Sequence, residues 1–467
     1  MAGATACADV ATDHRAAFVQ QVLVDDNRIW LYRAADKVAD KFAVMADDPY
    51  DFMRGSAALH FADLSRPVAG RASTRFLQTA DATTVLIFGD PHPENATVCR
   101  AEPSHHEPHP PLSVEYVDLD AAGYGPWTLD LWRAGLGMAV LVNELPGCDQ
   151  ACWEPAVDAL VHGYVDGLDP AAPTSVSSER ATDTDDWGDV LVDLFDESLD
   201  EGGEQKKTNK YAPLDDTETA RAFVMDPDTR LIPLSPDEHR ILGQLLDRMA
   251  LPPHFRLLEA SRRLGSGVSS IPALRYVVLY DRGHDGPEDD ALMQLREVLD
   301  PPVFPGTPAQ GLAVFPDNHT RVVSAARQLW TRPDADPRHV GAEVEGLSFK
   351  AVSWTSYFQD VDHTKLAEDW EEDKLDLDDI LALAHDLGRV LGASHARART
   401  RDGIVGRAVI EADLHAGGGP AVLEAEVRQR VRHDLHQLYT DHDVFRDLLD
   451  TEGPLLGAEN FYDGVVP

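Results

Sequence analysis

The sequence predicts an α+β fold on three observations. Helix-period apolar spacing dominates both ends of the chain, short β-branched apolar runs occur between residues 84 and 117, and a strand-rich block lies between residues 251 and 356. A chain of 467 residues suggests two or three domains or lobes and can bury a sizeable core.

In chain order, Thr12 to about Ala46 reads as helix, with Phe18, Val22 and Leu23 followed by Val38, Phe42 and Met45 at helical spacing. Asp48-Pro49 breaks it, and Phe52 to Leu64, carrying Arg54 and Gly55, is a second helix. Thr84 to Phe88 is short, apolar and β-branched, a buried strand ended by Gly89-Asp90-Pro91. Ala96 to Cys99 and Val114 to Val117 are further strands around a polar Pro/His loop, Glu102 to Pro111. Trp127 to Asn143 places Leu129, Trp132, Leu136, Val140 and Leu141 on one helical stripe, and Trp153 to Leu168 is another helix. Ala171 to about Asp216 has the composition of a linker or insert, apart from Trp187 to Leu199. Helix resumes over Pro236 to Met249. The strands Arg256 to Ala260, Arg275 to Tyr280 and Leu292 to Val298 follow, joined by Gly265-Ser266-Gly267 and the acidic loop Asp281 to Asp290. Thr320 to Trp330 is helical, Gly346 to Ser356 alternates like a strand, and Leu377 to Ala398 and Glu424 to Leu449 are long helices.

Asp and Glu number 81 against 41 Lys and Arg, a formal net charge of −40. An acidic, lysine-poor surface fits a protein of a high-salt cytoplasm, where salt screens the self-repulsion; the other reading is a binder of cations or basic partners. Nucleic-acid binding is not expected, because a phosphate backbone needs a basic footprint. Cys7, Cys99, Cys148 and Cys152 are too few and scattered for a disulfide framework or a zinc site, so reduced thiols in the cytoplasm are expected. The first residues lack a basic start and a long apolar run, so no signal peptide is expected. No run of about 18 apolar residues predicts a membrane span.

One constellation carries chemistry. Phosphoryl transfer asks for a carboxylate that orients the acceptor hydroxyl and takes its proton. It also asks for a carboxylate and an amide oxygen that hold Mg against the phosphates. Asp90 at a strand end, Asn95 five residues on, and Asp118 beyond a hairpin supply these groups.

The segment Phe88 to Asn95 resembles the His-Gly-Asp-x-His-x-x-Asn loop of aminoglycoside and choline phosphotransferases, with Phe88 in place of the leading His. The resemblance implies Asp90 as catalytic base and Asn95 and Asp118 as Mg ligands, with Asp120 a frequent neighbouring acid and Asp130 matching the Asp that opens the next helix. Four further pieces also match: Asp48-Pro49-x-x-Phe52-Met53-Arg54-Gly55, Gly89 to Asn95, Asp118-x-Asp120, and Gly125-Pro126-Trp127-x-x-Asp130-Leu131-x-Arg133. Together they resemble a prokaryotic family known as domain of unknown function 2252, placed among protein-kinase-like folds. That resemblance implies ATP or GTP as co-substrate, a nucleotide-phosphate turn at Gly265, Ser266 and Gly267, and Arg296 at the position of the kinase strand lysine.

The order of parts then implies a circularly permuted two-lobed kinase-like fold, because Gly265 follows Asp90 and the segment Leu387 to Ala396 resembles the helix that normally precedes the catalytic loop. Residues 1–170 would hold part of the large lobe with the catalytic loop, 171–250 an acidic insert and helix, 251–356 the small lobe, and 357–467 the remaining large-lobe helices. Arg296 in place of Lys, and no Glu between Thr320 and Trp330, keep a second reading open: a nucleotide-binding pseudokinase acting as a regulatory module. A third is a metallophosphoesterase, from Asp90-Pro91-His92 and Asp317-Asn318-His319. Gly265-Ser266-Gly267 alone is equally a hairpin turn. His105, His106, Glu107 and His109 read as a solvated loop rather than a metal site, His385 and His395 as packing or capping groups, and Glu368 to Asp379 as a solvated acidic face. Arg54 would bind a phosphate or pair with an acid. The acceptor and the oligomeric state have no signature in the sequence.

Overall fold

The structure is a computed structural model. It describes residues 2–66, 74–78, 80–100, 111–176, 184, 186–199, 203–217, 219–249, 251, 255–265, 267–283, 286–301, 314–333, 336, 339–355 and 357–458. Ser266 and the loop with His105, His106, Glu107 and His109 lie outside the described residues. The fold is α+β with antiparallel sheets.

The N-terminal helical region is several helices rather than two. Ala2–Asp26, Arg28–Arg33 and Ala35–Asp47 are followed by Pro49–Gly55 and Ala57–Leu64. Asp48 starts the fourth: its carboxylate accepts from the amides of Tyr50 (2.6 Å) and Asp51 (3.1 Å), and Pro49 occupies the first turn, where no N–H is needed. These helices share one large core with Thr128–Asn143, Gln150–Gly167, Leu377–Arg397, Gly406–Gly417 and the 33-residue helix Pro420–Glu452.

The tightest packing joins Gln150–Gly167 to Leu377–Arg397. A Cβ added at Gly163 would lie 1.8 Å from the carbonyl oxygen of His385, and one at Gly392 would lie 2.0 Å from that of Tyr164. Only glycine allows this backbone approach. The crossing fixes the far end of Leu377–Arg397 against the strand that carries the Gly89 loop.

Ala96–Arg100 and Leu112–Tyr116 form a hairpin, flanked by Gln359–Asp360 and Ser175–Val176. Val85–Ile87 pairs with Gly123–Gly125. The strand-rich block forms a six-stranded antiparallel sheet in the order Val340–Val344, Leu347–Ser353, Ala291–Val298, Arg275–Asp281, Arg256–Arg263, Leu231–Ile232. One face packs on helix Pro236–Arg248 through Leu242, Leu245, Tyr276, Val278 and Phe349. That helix starts with a reciprocal Ser235–Glu238 capping box.

Two expectations are corrected. Within 171–216 the excepted segment forms the helix Asp189–Leu199, which buries Val190, Leu191, Leu194 and Phe195 in the main core, but the part read as linker also holds a helix, Gly203–Tyr211. Cys148 and Cys152 are not separate reduced thiols but a disulfide, with Cα atoms 5.5 Å apart. The reason is local. Asp149 caps the helix that begins at Gln150, so Cys148 lies outside it and folds back on Cys152. No helix among the described residues is long and apolar enough to cross a membrane.

Candidate functional site

The loop after Val85–Ile87 begins at Gly89, whose φ of +85° and a would-be Cβ 2.4 Å from the Ala121 carbonyl oxygen require glycine. Its backbone is held by one buried carboxylate. Asp130 accepts from the amides of Phe88 (2.7 Å) and Gly89 (2.8 Å) and meets His395 Nε2 at 2.9 Å. The other nitrogen of His395 lies 3.0 Å from the Tyr164 hydroxyl. The helix Leu377–Arg397 thus braces the loop from some 300 residues away in sequence (265 separate His395 from Asp130).

Asp90 points to Arg133, whose Nε donates to Asp90 Oδ1 at 2.6 Å and whose Nη2 donates to the Met53 carbonyl at 2.7 Å. Burial raises the Asp90 carboxyl above its ordinary range and Asp118 adds to this, against the pull of Arg133 and Arg54. Asn95 Nδ2 donates to the Asp90 carbonyl at 2.8 Å, which leaves Oδ1 as the amide atom suited to a cation.

Asp118 and Asp120 leave the end of the hairpin together, the Asp120 amide donating to Asp118 Oδ1 at 3.0 Å. The buried ammonium of Lys350 reaches both, at 2.7 Å from Asp120 Oδ1 and 3.8 Å from Asp118 Oδ1. Burial opposes ionisation of Asp118, but Lys350, the Asp120 amide and Arg296 outweigh it and hold the carboxyl below its ordinary range. Arg321 locks the next residues, donating to the carbonyls of Ala122 (2.7 Å) and Leu299 (2.9 Å); burial lowers its pKa to about 10. It sits on helix Asn318–Leu329, which carries no Glu.

Lys350 belongs to a row. Strand register sets Arg275 opposite Arg296, and Arg296 opposite Lys350. Burial, Arg296 and Arg263 push the Arg275 guanidinium well below its ordinary range. Arg275 donates to Ser270 Oγ and Arg296 to Gln294 Oε1, so among the described residues neither is within salt-bridge distance of a carboxylate. Like charges directly opposite on a sheet destabilise it. In a chain with 81 acidic residues, this row is a local concentration of positive charge, and its Lys350 end meets Asp118 and Asp120.

Three cavities lie around these residues, two of them sharing Arg54. One of about 510 Å³ is bounded by Arg54, Asp90, Asp118, Asp120, Ser269 and Ser270. A second of about 510 Å³ shares Arg54 and is bounded by Gly265, Gly267, Arg230 and His363. A third of about 110 Å³ is bounded by Lys207, Arg296, Lys350, Trp354 and Asp360.

A model of the family described as an uncharacterized protein conserved in bacteria (DUF2252) matches residues 33–448. The chain belongs to that family. No curated protein and no solved structure matches it.

In this DUF2252 chain, Asp90, Asp118 and Asp120 line one cavity, and Asn95 is tied to the Asp90 carbonyl beside it. Gly265 and Gly267 line the neighbouring cavity through Arg54, and Arg296 joins through the sheet. Lys350, Arg275 and Arg133 were missed as site residues. Arg133 stood in the matched motif, and Lys350 had one signal, its rarity as one of so few lysines. Arg54 pairs with Glu94 (2.7 Å) and Asp51 (2.9 Å). Glu94 also bonds His363 and, with Asp362, forms a grouping of metal-type side chains. Arg54 already neutralises Glu94, and Asp362 caps the amides of Thr364 and Lys365, so this trio reads as a structural network. His92 packs edge-on to Tyr50, and Asp317 caps the Thr320 amide, which gives both halves of the metallophosphoesterase pattern structural roles.

Proposed function

We propose that the chain is a kinase-like phosphotransferase that moves a phosphoryl group from ATP or GTP to a small-molecule acceptor with Mg, on a circularly permuted, two-lobed kinase-like fold. The observation that carries this is the contact of Lys350, at one end of the Arg275–Arg296–Lys350 row, with the Asp118–Asp120 pair, beside Asp90. A polyphosphate needs cations on one side and a metal-holding pair of oxygens on the other.

The donor set suits Mg: Asn95 Oδ1, Asp118 and Asp120 are hard oxygen ligands. Mg there would neutralise charge on the transferring phosphoryl group. Asp90 takes the acceptor hydroxyl proton as the acceptor oxygen bonds to the terminal phosphorus and the bond to the nucleoside diphosphate breaks. Lys350 and Arg296 hold the phosphates, and Gly265 and Gly267 border the adjoining cavity that shares Arg54 with the Asp90 cavity.

The permutation is supported by the chain after Leu377–Arg397. The Leu86 amide donates to the Arg399 carbonyl at 3.2 Å, and the Arg401 amide to that of Thr84 at 3.0 Å. The helix exit therefore abuts the strand that carries the catalytic loop, which it would enter directly in an unpermuted kinase.

A second reading has its own observation. Arg133 occupies Asp90 Oδ1, which weakens the base and favours a nucleotide-binding regulatory module. The test is thermal stabilisation by ATP and GTP in high salt, with and without Mg, for the wild-type chain and Asp118→Asn. Mg-dependent stabilisation lost in Asp118→Asn is expected, and no stabilisation by either nucleotide would remove both readings. Turnover lost in Asp90→Asn supports the enzyme; binding without turnover supports the module.

A further inference from the structure

We propose that Lys207, carried by helix Gly203–Tyr211 of the inserted region, is a binding residue for the nucleotide's phosphate chain. This deepens the phosphotransferase reading and rests on it. The reading needs no residue from this stretch, which by composition is a linker.

The chain has few lysines, yet Lys206, Lys207 and Lys210 lie on this one nine-residue helix. The helix is fastened to the segment after strand Leu347–Ser353. The Tyr211 ring packs on Trp354 with centroids 4.2 Å apart, and Lys207 Nζ donates to the Thr355 carbonyl at 3.0 Å. This aims Lys207 into the cavity of about 110 Å³ that Arg296 and Lys350 also line. The cation row therefore continues beyond the sheet onto a helix from another part of the chain.

The surroundings favour an anionic guest. Arg263, Arg296 and Lys210 repel the ammonium, while Asp360 is the acid that attracts it. Asp360 is itself engaged by Thr97 Oγ1 at 2.6 Å. Burial first, then these cations, lowers the Lys207 pKa to about 8. An anion between Lys207, Arg296 and Lys350, which line one cavity, offsets the repulsion between Lys207 and Arg296.

The experiment is isothermal titration of the full chain with MgATP and with MgAMP in high salt, for the wild type, Lys207→Met, Lys207→Arg and Lys206→Met. Expected is about a tenfold loss of MgATP affinity in Lys207→Met, recovery of most of it in Lys207→Arg, and no change in Lys206→Met. MgAMP affinity should barely change, because one phosphate cannot span the row. Unchanged MgATP affinity in Lys207→Met, or an equal loss for MgAMP, overturns the assignment while the phosphotransferase reading stands. If the wild-type chain binds neither ATP nor GTP, that reading falls and takes this one with it. Thermal unfolding of the unliganded variants separates lost binding from lost folding, and Lys207→Arg keeps the test open if Lys207→Met does not fold.

Discussion

Arg133 and Asp90 form a part-buried ion pair, Nε to Oδ1 at 2.6 Å, with the arginine side chain fully enclosed and the carboxylate at the edge of the cavity. The group expected to accept a proton is thus held by a cation that stabilises its ionised form. Removing the cation strands a carboxylate in a low-dielectric site. Arg133→Met should cost about 3–5 kcal/mol of stability, read by denaturant unfolding in high salt. Arg133 lowers the Asp90 pKa, so its removal raises that pKa further and moves the acid limb of any turnover to higher pH. An acid limb that stays in place would show that Asp90 is not the group titrating.

Lys350 bridges Asp120 and the cation row from a strand interior. Lys350→Arg keeps the charge but brings a planar, bulkier fork into a buried place beside a cavity of only about 110 Å³. The MgATP concentration for half-maximal thermal stabilisation should rise about tenfold or more. An unchanged midpoint would place the phosphates away from Lys350.

Asp130 organises the loop without facing the cavity. In Asp130→Ala the amides of Phe88 and Gly89 and the His395 ring lose their partner. Each stranded buried donor costs about 1–3 kcal/mol, so a loss of at least about 3 kcal/mol is expected. Amide hydrogen exchange should show Phe88 and Gly89 becoming labile before the rest of the core. Uniform loosening would instead mean that Asp130 serves global packing.

His92 is buried, and burial followed by Arg54 and Arg133 lowers its pKa from 6.5 to about 3. The folded chain therefore refuses a proton that the unfolded chain accepts below 6.5. Stability contributed by the neutral ring is intact above that pH and is lost progressively as pH falls from 6.5 towards 3, about 3 kcal/mol by pH 4. His92→Phe should flatten the pH dependence of the urea midpoint between pH 7 and 4; a parallel profile would contradict the assignment.

The candidate catalytic and metal-binding groups were legible because they are local. Asp90, Asn95, Asp118 and Asp120 fall within one strand–turn–hairpin, where spacing along the chain is nearly spacing in space. The main helices and the central strands were legible for the same reason, since period and breaker residues act over a few positions. Of the cations, only Arg296 was, through the family resemblance. Lys350 comes to Asp120 across 230 residues by strand register, and His395 comes to Asp130 across 265 by a glycine-mediated helix crossing. The disulfide was missed for a smaller reason: one capping residue, Asp149, decides whether Cys148 starts the helix or turns back.

By itself, then, the sequence determined the α+β class, the acidic pole of the site and the turn that Gly89 makes possible. Only the tertiary structure decided what faces that pole. Register and helix packing assemble Arg275, Arg296, Lys350 and Lys207 from separate segments, and contacts between such distant segments leave no period in the chain to read.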